Sequence, residues 1–470
     1  MSIKRETFLT RFRKKYIGDR QFYSNLMGIT IPIMLQSAIS NFVSLLDNIM
    51  VGRVGTEQMT GVAISNQLFF VFFLAIFGGM SGAGIFTAQF YGKKDNEGIK
   101  NTFRFKVCMG VILLAIAIVI FMVFGSDLIN LYLKSDQSEA DPVAALAYGS
   151  TYMRINLLGL FGFTVTQVYA GTMRNCGLTK LPMLAGITAV LTNLLFDWLL
   201  IFGIGPFPEL GVAGAAIATV IARYVEMSIT VIYCHTNAEK LGYMEGLYKS
   251  LLVPGKLFKQ ITIKGTPILV NEVLWSTGMA VLVQCYSVRG MEAVAGLNIS
   301  NTISNVVNIT FFSMGDAVAI IVGQLLGAGD MTRAKDSDNK IIAFAVFLGM
   351  MSSVLLVVLA HIFPQLYNTS DEVKYLAKHF MLTQACFTPM MGFLHTTYFT
   401  LRSGGKTIIT FIFDSVFVWC ITVPLACILA KYTSLEALQI YLCVGLTDIA
   451  KCLLGFVLVK KNVWMNVIVD

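Results

Sequence analysis

The stretch VCMGVILLAIAIVIFMVFG (residues 107–125) holds nineteen consecutive residues without a charged side chain. A helix that crosses the hydrocarbon core of a bilayer needs about 20 mostly apolar residues, so this stretch is long enough to span a membrane. A strand of a membrane β-barrel would instead alternate apolar and polar residues over about 10 positions. The unbroken apolar run therefore predicts a transmembrane α-helix.

The same pattern recurs along the whole chain of 470 residues. Hydrophobic residues make up 56% of the sequence and charged residues only 13%, against about 25% charged residues in soluble domains. The twelve apolar blocks of sufficient length lie approximately at 26–51, 60–91, 103–125, 144–172, 181–202, 211–234, 262–285, 294–325, 341–363, 375–402, 407–430 and 436–459. We therefore predict an all-α polytopic membrane protein with twelve transmembrane helices.

Basic residues are concentrated on one side of the predicted membrane. Of the 35 Lys and Arg residues, 26 lie on the side of the N-terminus and six on the other. Because basic loops stay in the cytoplasm, we expect both termini to be cytoplasmic and the protein to lie in the cell (inner or plasma) membrane. The net charge of +8 then belongs to a rim that faces anionic lipid, and it requires no nucleic acid partner.

The chain matches itself when it is shifted by 235 or 228 residues. The matches at the first shift are Pro32 with Pro267, Ile64-Ser65-Asn66 with Ile299-Ser300-Asn301, Gln89 with Gln324, Gly92 with Gly327 and Asp95 with Asp330. Those at the second shift are Arg174 with Arg402, Gly177 with Gly405, Thr219 with Thr447 and Arg223 with Lys451. Ordered matches indicate duplication, and six spans per repeat give both repeats the same orientation. We predict two pseudo-symmetric six-helix bundles.

The duplication divides the chain into five segments. We predict an N-terminal tail (1–25), an N-lobe with the first six helices (26–234), a polar linker (235–260), a C-lobe with the last six helices (261–459) and a C-terminal tail (460–470). The two tails and the linker carry many of the basic residues. We therefore expect all three on the cytoplasmic side.

Two aspartates lie inside predicted helices of the first repeat. Asp47 continues a polar stripe on one face of the first helix, and Asp197 lies one turn after Asn193 in the fifth. Charged groups at membrane depth are costly, which favours a functional role. Two carboxylates at a common depth would hold one proton between them, and the same oxygens with an amide would suit Na⁺. Proton and Na⁺ both remain open, and so does a purely interfacial position of the two acids.

The second repeat offers fewer candidates. Glu272 lies five residues after Pro267 in the seventh helix, and no basic residue close in sequence can pair with it. We interpret Glu272 as a cavity-facing residue that attracts substrate. Asn301 and Asn305 belong to a polar stripe on the eighth helix, which interhelical hydrogen bonding explains about equally well.

Other charged residues have local explanations. Arg223 with Glu226, and Asp448 with Lys451, have the i, i+3 spacing of ion pairs on one helix. Asp414 lies near the cytoplasmic end of the eleventh helix, where we expect it to reach water. The sequence holds no nucleotide-binding motif, no Cys-x-x-Cys spacing and no histidine cluster. We therefore expect no enzyme activity, no cofactor and no metal beyond Na⁺ at the aspartate pair.

Several segments, taken together and in order, resemble the multidrug and toxic compound extrusion (MATE) family of multi-antimicrobial extrusion proteins. They are LLDNIMVGR (45–53), Gln89 to Gly92, Arg174 to Gly177, NLLFD (193–197), GVAGAAIAT (211–219) and PILVNEVLW (267–275). The resemblance covers essentially the whole chain. It implies a twelve-helix, MATE-like exporter of organic cations, dyes and drugs that is driven by inward H⁺ or Na⁺.

The resemblance also implies roles for individual residues. The ion-coupling site in the N-lobe would consist of Asp47, Asn193, Asp197 and Thr219. We expect the substrate cavity to include Gln36, Asn41, Asn66, Glu272, Asn301 and Asn305. Some branches of the family place a second acid in the tenth helix, at the position of Met391 here. This departure favours an ion site in the N-lobe.

We accordingly predict a monomeric antiporter that works by alternating access, with cationic drugs or dyes and membrane lipids as its partners. A lipid-linked oligosaccharide flippase of the same superfamily is the alternative, although such flippases tend to have more spans and a basic cavity. A channel or receptor agrees less well with a twofold repeat that contains buried acids.

Overall fold

The computed structural model describes residues 13–135 and 141–469. The first twelve residues of the predicted N-terminal tail, and Asp470 of the predicted C-terminal tail, lie outside the described residues. The long helices are α1 (Arg20–Gly52), α2 (Thr56–Lys93), α3 (Asn96–Ser135), α4 (Pro142–Asn175), α5 (Lys180–Phe202), α6 (Val212–Thr236), α7 (Gly255–Ser287), α8 (Met291–Gly327), α9 (Met331–Ile362), α10 (Asp371–Ser403), α11 (Thr407–Tyr432) and α12 (Ala437–Lys460).

Ten of the long helices in the described ranges are long and apolar enough to cross a membrane. The other two, α4 and α10, have 34 and 33 residues, although more hydroxyl, amide and charged side chains interrupt them. Because about 20 residues suffice for a span, their length also fits a membrane. The prediction of an all-α polytopic protein with twelve transmembrane helices is confirmed.

Local sequence sets where several helices begin and end. Asp141 accepts a hydrogen bond from the backbone N–H of Val143 at 3.0 Å, and Pro142 occupies the first turn of α4, where it loses no helical hydrogen bond. Ser370 caps α10 in the same way. Gly203 ends α5 with φ of 65°, a left-handed conformation that glycine adopts without strain. This turn fixes the end of the helix that carries one candidate aspartate.

Helix α11 departs from regular α-helical geometry. Its first turn (Thr407–Phe411) and its last part (Val423–Tyr432) are α-helical, whereas Ile412–Val416 and Val418–Thr422 form π-helical turns. π-helical turns are rare, and they frequently lie at functional sites because the wider turn redirects the side chains it carries. Asp414 lies in the first of them.

The described residues form two compact units. What we call the N-terminal unit holds Leu35–Thr87 together with the described part of Asp95–Gly265. What we call the C-terminal unit holds the described residues up to Met34, Ala88–Lys94, and the residues from Thr266 onward. Helices α1, α2 and α7 are therefore each divided between the units. The limits of the two lobes that the sequence suggests stay a prediction.

The end of α2 and the end of α8 cross at two glycines within the C-terminal unit. A Cβ atom at Gly92 would overlap the backbone carbonyl of Gln324, and a Cβ atom at Gly327 would overlap that of Gln89. The 235-residue shift relates these same four positions, so the repeat is symmetric at this contact. Glycine is required because no other residue allows two backbones to approach this closely.

The segment after α12 packs back onto the C-terminal unit. The side-chain amide of Gln89 donates to the carbonyl oxygens of Ser403, at 3.0 Å, and Asn466, at 3.2 Å. Its carbonyl oxygen accepts from the backbone N–H of Ile468 at 2.8 Å. Trp464 is buried with 1% of its surface exposed. Gln89, which the repeat singles out, therefore anchors this terminal segment.

The linker between the repeats packs in part against the N-terminal unit. Tyr243, Met244 and Leu247 are buried, although they lie in a segment of largely polar sequence. The guanidinium of Arg104 in α3 donates to the backbone carbonyl of Leu247 at 3.1 Å. The linker is therefore attached to the first turns of α3.

Candidate functional site

Two carboxyl groups meet inside the N-terminal unit. Asp47 of α1 and Asp197 of α5 lie within hydrogen-bonding range of each other, and Asp197 is fully buried. Apart from this mutual contact, none of the described residues donates a hydrogen bond to Asp47 Oδ1 or to either carboxyl oxygen of Asp197. Buried carboxylates are normally paired or hydrogen-bonded. The described residues therefore do not neutralise this pair.

A tyrosine from a third helix completes the surroundings of the pair. The hydroxyl of Tyr152 in α4 lies close to the side chains of Thr219 of α6 and Asn66 of α2, and it faces both acids. The ring is buried, with 3% of its surface exposed. Five helices of the N-terminal unit therefore contribute to one polar site, which we call the Asp47–Asp197 site. Tyr152 was not among the predicted residues, because a tyrosine within a span gives no signal that separates it from a packing residue.

The other polar candidates of the N-terminal unit lie at different distances from this site. Asn193 lies one turn before Asp197, and its amide nitrogen, although buried, finds no acceptor among the described residues. Gln36 packs on α5, since a Cβ atom at Gly186 would lie 2.6 Å from its amide nitrogen. Asn41 is exposed. Thr219 and Asn66 therefore belong to the Asp47–Asp197 site through Tyr152, whereas no contact connects Gln36 or Asn41 to it in the described residues.

The chemistry of the Asp47–Asp197 site follows from its donors and acceptors. Two acids without protein donors can share a proton, because like charges at short range cannot both stay ionised in a buried site. Carboxylate, hydroxyl and amide oxygens are also the ligands of hard cations. The described residues contain no group of three or more His, Cys, Asp or Glu side chains suited to a metal ion. Chemically, the two acids can hold a shared proton or a hard cation.

The C-terminal unit contains a second, different polar cluster. Tyr398 of α10 donates its hydroxyl hydrogen bond to Glu272 Oε1 of α7 at 3.1 Å. The amide of Asn271 donates to the Tyr398 oxygen at 3.3 Å and to Asp414 Oδ2 of α11 at 3.1 Å. Ser415 donates to the Asn271 side chain at 2.7 Å. Glu272 is therefore one member of a hydrogen-bonded network rather than an isolated acid.

The network ends at an ion pair that the sequence did not predict. Lys451 Nζ of α12 donates to Asp414 Oδ1 at 2.7 Å. The expectation that Asp414 reaches water is wrong, since only 15% of its side chain is exposed. Lys451 instead pairs across helices with Asp414, whereas Asp448 of its own helix lies only within electrostatic range. The local pair that the sequence suggested between Arg223 and Glu226 does form, at 3.6 Å.

The remaining two candidates lie on α8. Asn301 is half-buried and Asn305 is exposed. In the described part of the chain, no hydrogen bond connects either of them to the Glu272 network. Asn305 has the exposure expected of a residue that faces lipid or an open cavity, and Asn301 lies one turn before it on the same helix.

Comparisons with known proteins identify the family. The profile of the family described as MatE matches residues 32–199 and 267–428. The chain belongs to the MatE family. It is therefore a multi-pass membrane transporter, and it is not an enzyme.

Among its relatives, the probable multidrug resistance protein YoeA of Bacillus subtilis is 25% identical over 416 residues, which cover 87% of this chain and 88% of the relative. The probable multidrug resistance protein NorM of Thermotoga maritima is 25% identical over 424 residues, which cover 88% and 87%. The crystal structure of a mutant of the Vibrio cholerae MATE transporter VcmN has the same fold, with a TM-score of 0.83 at 17% identity, over 94% of this chain and 97% of that one.

Proposed function

We propose that this MATE transporter is a secondary antiporter that exports organic cations and drugs in exchange for H⁺ or Na⁺. The observation that carries the proposal is the Asp47–Asp197 site, where two buried carboxyl groups meet without protein donors. Its relatives are called multidrug resistance proteins, which supports a drug as the exported substrate. The acids are the coupling residues, and Tyr152, Thr219 and Asn193 supply the neighbouring oxygens.

The coupling follows from the cost of burying charge. With the site empty of a cation, two ionised carboxylates in a low-dielectric interior repel each other, so a bound H⁺ or Na⁺ stabilises the N-terminal unit in a neutral or less charged form. The ion enters from the outside while the drug cation leaves, and the transporter then resets for the next drug molecule. One charge that moves down a potential of 100 mV supplies about 2.3 kcal/mol.

The expected orientation rests on the charge distribution. The basic loops place both termini in the cytoplasm of a cell whose inner or plasma membrane holds the transporter. Membrane lipids then surround the chain, and we propose that it works as a monomer because each copy contains both repeats of the duplication.

The test is export of ethidium from cells that express the chain, under separately imposed H⁺ and Na⁺ gradients. We expect Asp47→Asn and Asp197→Asn each to reduce gradient-driven export by at least about tenfold, the change that 1.4 kcal/mol of lost ion binding produces. Asp127→Asn is the matched control, because this aspartate also lies in the N-terminal unit but is exposed.

Two results would contradict the proposal. If both Asp47→Asn and Asp197→Asn export ethidium as the wild type does, the ion site is assigned wrongly. If the wild-type chain is present in the membrane and exports no organic cation under either gradient, the flippase alternative gains support, and transfer of a lipid-linked oligosaccharide between leaflets becomes the next measurement.

A further inference from the structure

The acid cluster of the C-terminal unit is organised around a lysine. A continuous series of hydrogen bonds runs from Lys451 through Asp414, Asn271 and Tyr398 to Glu272. Both carboxyl oxygens of Asp414 have a donor, one from Lys451 and one from Asn271. In this respect Asp414 is the opposite of Asp197, whose oxygens have no donor beyond its partner acid.

Lys451 is a buried residue and not a surface residue. Only 11% of its side chain is exposed, and its ammonium lies 5.3 Å from the centre of the Phe413 ring. Besides Asp414, the titratable groups that face the cluster are Asp448 and Cys452 of α12, His395, Tyr398 and Arg402 of α10, and Glu272 of α7. A buried ammonium is costly unless it is paired, so its pairing with Asp414 satisfies both charges.

The internal repeat relates the position of Asp414 to a position in the first half that has no side chain. The 235-residue shift relates Gln36 to Asn271, and the 228-residue shift relates Gly186 to Asp414. These related positions make related contacts, because Gln36 packs on Gly186 and Asn271 binds Asp414. The C-terminal unit therefore has a carboxylate where the N-terminal unit has no side chain.

The reverse difference holds at the ion site. The same shifts relate Asp47 to Leu282 and Asp197 to Leu425, so the second half has no equivalent of the acid pair. The acid of the second half, Asp414, lies in the π-helical turn Ile412–Val416, where it pairs with Lys451 of α12. At Asp414 the fold therefore supplies a cation to the acid, whereas at the Asp47–Asp197 site the described residues supply none.

We propose that Lys451 is a tethered cation that neutralises Asp414, so that the C-terminal unit binds no exchangeable coupling ion. The inference rests on the proposed exchange at the Asp47–Asp197 site. Removal of the lysine would leave Asp414 beside Glu272 without its counter-charge. The two acids would then form a second site for H⁺ or Na⁺.

The experiment counts the ions that the purified transporter binds in detergent. Binding of ²²Na⁺ is measured directly, and protons are counted by their release when tetraphenylphosphonium, a lipophilic cation, is added. The variants are Lys451→Met, Lys451→Arg and the double variant Asp414→Asn/Lys451→Met. Lys340→Met is the matched control, because Lys340 pairs with Asp336 at 2.6 Å in the same unit but outside the network.

We expect Lys451→Met to bind about one ion more per molecule than the wild type, because a buried acid without a counter-charge takes up a proton or a cation. Lys451→Arg, the double variant and Lys340→Met should keep the wild-type number. The inference is overturned if Lys451→Met, as a folded protein, shows the wild-type number. It is also overturned if the double variant binds fewer ions than the wild type, and this second result decides the question even if Lys451→Met does not fold.

The same measurement separates this inference from the proposed function. Asp47→Asn should lose the ion that the wild type binds. If Asp47→Asn keeps the wild-type number, the coupling site is assigned wrongly, while the comparison of Lys451→Met with the double variant still tests the role of the lysine.

Discussion

The two units contain acidic groups of opposite character. In the N-terminal unit Asp47 and Asp197 meet each other and lack protein donors. In the C-terminal unit Asp414 has donors at both oxygens, one of them a lysine ammonium at 2.7 Å. An acid that the fold leaves unsatisfied can bind and release an ion, whereas an acid that the fold has already paired cannot do so without breaking the pair.

Duplicated halves can therefore diverge in function without diverging in fold. The glycine crossing of Gly92 and Gly327 is the same in both repeats, which preserves the close contact of the backbones. The buried acids differ instead, because Asp47 and Asp197 of the first half correspond to leucines in the second, and Asp414 of the second corresponds to Gly186 in the first. A glycine at a close backbone contact cannot be replaced without a steric clash. An acid within a span can be replaced wherever its charge is not needed for binding.

The largest expected effect is a difference in stability between two Asp→Asn substitutions. Asp414→Asn leaves the Lys451 ammonium buried without its partner, and we expect it to lower the free energy of unfolding by about 3–5 kcal/mol. Asp197→Asn removes one of two repelling acids, and we expect the free energy of unfolding to stay unchanged or to rise. Thermal unfolding of the purified variants in detergent measures both.

The double variant Asp414→Asn/Lys451→Met is the control for this comparison, because it removes both charges and should recover most of the stability that Asp414→Asn loses. Equal loss of stability in Asp414→Asn and Asp197→Asn would contradict the distinction between a paired acid and an unpaired one.

A smaller effect is expected at Tyr152. Tyr152→Phe removes the hydroxyl that lies close to Thr219 and Asn66 and faces the two acids, but it keeps the packed ring. We expect ion affinity to fall about fivefold, because one hydrogen bond contributes about 1 kcal/mol. Binding of ²²Na⁺, or proton release, measures the affinity. Tyr224→Phe serves as control, since Tyr224 is a partly buried tyrosine of α6 whose hydroxyl only donates to the carbonyl of Leu158. An unchanged affinity in Tyr152→Phe would exclude its hydroxyl from the site.

The fold could be predicted from the sequence because membrane spans are a property of composition. Twelve apolar blocks fix twelve helices, since every backbone polar group inside a bilayer must be satisfied within a helix. The repeat also matched Gly92 with Gly327, and only the structure shows that both positions lie in a close backbone contact. The meeting of Asp47 with Asp197 was expected from their depth in the membrane, and the structure places them together, while their role as coupling residues stays a prediction.

The C-terminal network could not be predicted for two physical reasons. The i, i+3 rule favoured Asp448 as the partner of Lys451, but the rule describes neighbours on one helix and gives no information on contacts between helices. The partner that forms, Asp414, lies on a π-helical turn, and such a turn redirects the side chains that it carries. Asn271 and Tyr398 join the network through Asp414, and no sequence pattern distinguishes them from other polar residues of the spans.

The effect expected at Asn193 depends on the coupling ion, and it therefore separates the two candidate ions. Asn193 lies one turn before Asp197, and its amide nitrogen has no acceptor among the described residues, so its carbonyl oxygen is its remaining means of contributing to the site. If Na⁺ is the coupling ion, Asn193→Ala removes a neutral oxygen ligand, and we expect the affinity for ²²Na⁺ to fall about tenfold, equivalent to 1.4 kcal/mol. If H⁺ is the coupling ion, the proton lies between the carboxyl groups, and proton release should change by no more than about twofold, the range of substitutions that touch no essential contact. One result would contradict this distinction between the two ions: Asn193→Ala loses most of its proton release while neither it nor the wild type binds detectable Na⁺. The amide of Asn193 would then have to hold the proton itself.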